Sequence, residues 1–168
     1  MQSIIDDRNY ECLVKDILLD KDFNKMKDIR HHGMNRLDHS LRVSYYSYKI
    51  TKALGLDYES TARAGLLHDF FFENNQESSI GKRGKTLIEH PEYALENAKS
   101  KFELNDKEEN IIESHMFPVA LHLPKYLESW IVDMVDNGVA IWEIYKAYAP
   151  QLKPVANLMA LISIFLFK

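Results

Sequence analysis

One cysteine, Cys12, stands in 168 residues, so no internal disulfide holds this fold, and the composition suits a reducing cytoplasm. Glycine and proline are scarce as well, six and five in all. That leaves few breaks and excludes linker-like or low-complexity segments; no internal repeat is visible. Charge of one sign is also missing. A net charge of −4 and a pI near 6.0 lack the basic footprint that a nucleic-acid polymer or an anionic membrane surface asks for. Long apolar runs are absent. The opening "MQSIIDDRNYE" is acidic and has no signal-peptide core. The stretch "LMALISIFLF" near the other end is too short to span a bilayer; it is expected to form a buried terminal helix, with a dimer contact as the second reading.

What is present is an ordinary globular composition, 46% hydrophobic and 27% charged, in a chain long enough to bury one core. Alternation at period two is rare and most segments repeat at a helical period. The expected elements are a first helix over about 8–28 and a connector at 31–36 broken by Gly33. A helix over about 38–54 follows, opened by Asp38 and stopped by Gly55. Another, capped by Asp57, runs to about 71, and a polar loop spans 73–89. Pro91 then starts a helix to about 102, and Asn105 or Asp106 caps one to about Met116. Pro118 and Pro124 bracket an irregular link. A long helix covers about 124–148 and a packing helix about 152–166. This is an all-α, single-domain bundle of about seven helices.

Several polar side chains fall on apolar stripes. His39 shares a face with Val43, Tyr46, Ile50 and Ala53. His68 shares one with Thr61, Ala64 and Phe72, while Ala62, Gly65 and Asp69 form its shoulder, small enough for a neighbouring helix to come close. His115 follows Ile111 and Ile112, Asp136 lies between Val132 and Val139, and His90 directly precedes Pro91. A lone inward histidine is usually a hydrogen-bonded core residue. Four histidines and two aspartates on inward faces of different helices call for a shared partner, because unpaired buried carboxylates are costly. Divalent metal ions meet both needs, compensating carboxylates and binding neutral imidazoles. With no cysteine in the set, a closed structural zinc site is disfavoured, and N/O ligation suits Fe, Mn, Zn, Co, Ni or Mg.

The order His39, His68-Asp69, His115, Asp136, in the contexts "DHSLRV", "AGLLHD" and "MVDNGVA", resembles the HD-domain metal-dependent phosphohydrolases. The resemblance covers about residues 30–145. It implies that His39, His68, Asp69 and Asp136 hold a first metal, with His68 and Asp69 at the catalytic heart. The contexts "EHPEYALENA" and "IIESHMFP" add His90 and His115, as in branches with a second metal; Asp69 would then bridge two ions, with Fe or Mn favoured. Asp133, one turn before Asp136, is the rival for the last position. The expected reaction is hydrolysis of a phosphate ester or anhydride by metal-activated water. The expected substrate is a nucleotide or another small phosphorylated metabolite, with no nucleic-acid polymer and no membrane; a homo-oligomer is compatible with the sequence.

There is a departure. Where many members carry a lysine three residues after the doublet aspartate, this chain has Phe72. Candidate phosphate-binding cations are Arg36, Arg42, Lys82, Arg83 and Lys85, the last three lying in a segment that otherwise reads as exposed polar loop. "GKRGKT" mimics the end of a P-loop, but Ser79 occupies the required first glycine and no strand precedes it. His32 and His122 are candidate proton donors that read first as surface or capping residues. Phe70 to Phe72, Tyr45 and Tyr46 are candidate base-stacking groups that read first as core. Two other functions remain to weigh: a di-iron oxygenase of the same fold, and a metal-stabilised sensor without catalysis.

Overall fold

The computed structural model describes residues 7–31, 34–72 and 80–166, with side chains over 7–29, 34–72 and 88–150. Gly33, His32 and the 73–79 part of the expected loop lie outside the described residues. The fold is all-α. Six α-helices, one 3-10 helix and a pair of two-residue strands make up the elements of the described residues.

Helix α1 (Arg8–Leu19) starts at Asp7, whose carboxylate accepts from the Asn9 and Tyr10 amides, and it buries Tyr10, Val14 and Ile17. The expected helix over 8–28 breaks in two. Asp20 turns extended, and its carboxylate accepts from the amides of Asp22 and Phe23, an alternative to helical bonding that short acidic side chains offer. The chain resumes as a 3-10 helix, Phe23–Asp28, that buries Phe23 and Met26. Strands β1 (Arg30–His31) and β2 (Met34–Asn35) pair antiparallel and deliver Asn35 as the cap of α2 (Arg36–Ala53). Its side chain accepts from the Asp38 amide at 2.8 Å. Asp38, expected as the cap, sits instead in the first turn, where its charge suits the helix dipole.

Helix α2 ends as expected: Gly55 follows at φ 70°, the left-handed conformation that glycine adopts without strain just past a helix. Asp57 caps α3 (Tyr58–Leu67) by accepting from the Ser60 amide; the helix is shorter than expected and His68 is its C-cap. Helix α4 (Ile80–Lys99) carries Pro91 in its interior, so the expected loop at 73–89 is helical from Ile80. Helix α5 (Asp106–Ser114) opens with a capping box between Asn105 and Glu108 and hands over to His115. Helix α6 runs unbroken from Leu127 to Leu166, merging the two helices expected over 124–148 and 152–166. The side chains of "LMALISIFLF" lie outside the described residues.

The α2–α3 seam holds the centre of the fold. The buried face of α2 is Leu37, Ser40, Ser44, Ser47 and Thr51, whereas Tyr46 and Ile50, expected inward, are 45% and 41% exposed. Small hydroxyl residues win that face because α3 comes so close. A Cβ on Gly65 would stand 3.1 Å from the Ser44 Cα. Ser44 Oγ donates to the Ala62 carbonyl at 2.6 Å and accepts from the Tyr10 hydroxyl at 2.7 Å. Phe23, Leu66, Leu67, Phe70, Ile111 and Ile112 extend the core around this seam. Among the described residues, no helix is long and apolar enough to cross a membrane.

Candidate metal centre

Five helices contribute to one buried cluster. His39 comes from the first turn of α2, His68 and Asp69 from the end of α3, His90 from α4, His115 from the end of α5 and Asp136 from α6. None of the six is more than 9% exposed. On one side, Asp136 Oδ1 lies 2.8 Å from His39 Nε2 and 3.6 Å from His68 Nε2. On the other, Asp69 Oδ1 lies 3.4 Å from His90 Nε2 and 3.8 Å from His115 Nε2, and those two nitrogens are 2.9 Å apart. Asp69 Oδ2 faces His68 Nε2 at 3.9 Å. Three overlapping triads result, His39–His68–Asp69, His68–His115–Asp136 and Asp69–His90–His115, each with its ligand atoms within 4.8 Å. Asp69 belongs to the first and the last.

The ring orientations are set locally. His68 Nδ1 donates to the Gly65 carbonyl at 2.8 Å, and His115 Nδ1 donates to the Ile112 carbonyl at 2.8 Å. A carbonyl only accepts, so each Nδ1 carries the proton and each Nε2 is turned into the cluster. These bonds need the carbonyl three residues back, which is why both histidines sit at helix ends.

A divalent cation fits these residues. Fully buried His68 Nε2 has no hydrogen-bond partner among the described residues, an orphaned ligand atom beside two carboxylates. The electrostatics agree. Burial pulls the His39 pKa down, but hydrogen bonds to Asp136 and Glu143 outweigh it and push it to about 10. Burial likewise opposes the charge of His68, yet Asp69 and Asp136 raise its pKa. Burial would raise Asp136, whereas the imidazoles of His39 and His68 hold it well below the usual carboxylate range. This side of the cluster attracts positive charge. His115 differs: burial lowers its pKa to about 3, so it stays neutral and ready to ligate.

Asp136, not Asp133, meets the histidines. Asp133 is buried outside the triads, and burial with the Asp136 charge raises its pKa to about 6. Arg36 is at the cluster: its Nη1 donates to the Phe71 carbonyl at 2.6 Å, its Nε is 4.0 Å from Asp69 Oδ2, and its guanidinium covers the Phe71 ring at 3.8 Å. Arg42 is engaged elsewhere, donating to Glu143 at 2.8 Å. Lys82, Arg83 and Lys85 fall on the first turns of α4, with side chains outside the described residues. Phe71 packs against His90, and Phe72, where the family resemblance led one to expect lysine, is 40% exposed. His122 bridges Glu92 and Glu113, outside the triads. Cys12 is exposed on α1.

One site residue escaped the sequence reading. Glu143, 1% exposed, accepts from His39 Nδ1 at 3.0 Å. Its signal was there, because Val132, Asp136, Val139 and Glu143 continue a single stripe at three- and four-residue steps.

Residues 36–141 match the family model of the HD domain. The chain belongs to the HD domain family. This is the family that the order of histidines and aspartates led one to expect. HD-domain relatives include Ribonuclease Y of Ureaplasma parvum, 33% identical over 67% of this chain and 21% of the relative. Ribonuclease Y of Mycoplasma capricolum is 35% identical over 71% of this chain and 21% of the relative. Ribonuclease Y of Pseudothermotoga lettingae is 36% identical over 54% of this chain and 16% of the relative. The chain thus spans about a fifth of the length of the first of these relatives. No solved structure gives a significant match.

Proposed function

We propose that this HD domain hydrolyses a phosphate ester or anhydride, with His39, His68, Asp69 and Asp136 holding one divalent ion. Asp69 also serves a second ion held with His90 and His115. The observation that carries this reading is the buried cluster itself, four imidazoles and two carboxylates with Asp69 common to both of its sides. Bound there, a divalent ion supplies a Lewis acid and a water of pKa lowered to about 7.

The protein residues have separate tasks. His68 and His115 are pre-oriented by backbone carbonyls, so ligation costs little reordering. Asp69 presents one oxygen to each side of the cluster and orients the nucleophile. Arg36 supports Asp69 and adds a fixed positive charge at the edge of the centre, suited to phosphoryl oxygens. Phe71 shields the His90 side from water.

The substrate proposed from the acidic charge balance is a small phosphorylated metabolite or nucleotide. A second reading, an RNA phosphodiester, is favoured by the relatives, which are named as ribonucleases. Both share the bond that is broken. A screen of the full chain with Mn2+ decides between them, using nucleoside phosphates, bis-p-nitrophenyl phosphate and a short single-stranded RNA. Asp69→Ala should lose activity by at least about a hundredfold on whichever is cleaved. Equal turnover by wild type and Asp69→Ala rules out the mechanism, and turnover of an organic substrate only with iron and O2 favours an oxygenase.

A further inference from the structure

His39 is held differently from His68 and His115. His68 and His115 each donate Nδ1–H to a backbone carbonyl; His39 Nδ1 donates to a carboxylate, Glu143 Oε2, at 3.0 Å. The other oxygen of that carboxylate, Oε1, accepts from Arg42 Nη1 at 2.8 Å. Glu143 is 1% exposed and Arg42 9%, and a charge so buried persists only with partners on each oxygen. The spacing explains how two helices build this. His39 and Arg42 are one turn apart on α2, and Asp136 and Glu143 are two turns apart on α6. One face of α6 therefore presents both a partner for His39 Nε2 and a partner for its Nδ1. Glu143 also lies beyond the residues 36–141 that match the family.

We infer that Glu143 is a positioning residue for the metal centre: it holds His39 with Nε2 turned to the ion, and Arg42 holds Glu143 in place. The inference rests on the metal reading proposed above. A carboxylate behind a ligating imidazole fixes its tautomer and raises its basicity, and losing such a partner weakens metal binding about 10–100-fold. The effect belongs to one side of the cluster. His90 and His115 owe nothing to Glu143.

The test is Zn2+ affinity of the metal-stripped full chain, read by competition with a chromogenic chelator. His39→Ala and His90→Ala assign the two binding steps. Glu143→Gln, close in shape, should weaken the His39 step about 10–100-fold and leave the His90 step within about twofold. The double variant His39→Ala with Glu143→Gln should bind no more weakly than His39→Ala alone. A purely structural role would lower both steps together, and unchanged or additive affinities overturn the inference. Should Glu143→Gln not fold, the wild-type protein still decides: long-range 15N–1H spectra of the Zn2+-loaded chain should show His39 protonated at Nδ1 and metallated at Nε2. The opposite tautomer overturns the role of Glu143. No Zn2+ uptake by wild type at all overturns the metal reading first, a result distinct from a failure confined to Glu143.

Discussion

His39 holds a proton that a metal must displace. Between Asp136 and Glu143 its pKa is pushed up to about 10 despite burial, so without metal it is charged at neutral pH. A ligating Nε2 cannot keep that proton. Metal affinity should therefore rise with pH, by about tenfold per unit between roughly pH 6 and pH 8 if one proton leaves. The sign follows from the raised pKa: the proton is fully bound below it and competes less as pH climbs towards it. Mn2+ titrations across that range check this, and a pH-independent affinity would show that His39 does not ligate through Nε2. The same residue teaches what a sequence can reveal. Its inward placement was legible from spacing, but its two carboxylate partners are 97 and 104 positions away. Only Asp136 stood in a recognisable context.

Helices α2 and α3 approach so closely that one atom matters. A Cβ on Gly65 would meet the Ser44 backbone at 3.1 Å, and the Gly65 carbonyl orients His68. Gly65→Val should cost about 1–3 kcal/mol through overpacking, seen as a lower urea midpoint, and should weaken metal binding by tilting His68. Wild-type stability and affinity in that variant would mean the seam has slack. The small residues Ala62, Ala64 and Gly65 announced this contact in the sequence. The facing serines did not. Ser44 and Thr51 read as polar, yet both are fully buried, because Ser44 Oγ finds the Ala62 carbonyl and Thr51 Oγ finds that of Ser47. The expected stripe is therefore buried where it starts, at His39 and Val43, and turns outward by Tyr46 and Ile50. Prolines misled for a related reason. Pro91 read as a helix start, but its fixed φ is compatible with helix and costs one hydrogen bond. Helix α4 accepts that loss, as α6 does at Pro150 and Pro154.

At the scale of the whole molecule, five helices converge on six buried titratable side chains, an arrangement that makes sense only as a unit. Removing any one member leaves the others as buried charge or orphaned nitrogen. The order and the contexts of those residues carried the family in the sequence, while caps and helix joins, decided by distant packing and local side-chain bonds, did not. The acidic balance that suggested a small substrate describes the whole surface and not the entrance to the centre, which is why it leaves RNA and small phosphates to experiment. The most direct measurement is the metal content of protein purified without added metal, by mass spectrometry, for wild type, His68→Ala and Asp69→Ala. At least one divalent ion per wild-type chain is expected, with a marked loss in both variants and helical circular dichroism retained. Equal metal content in all three proteins would mean that this cluster is not a metal centre.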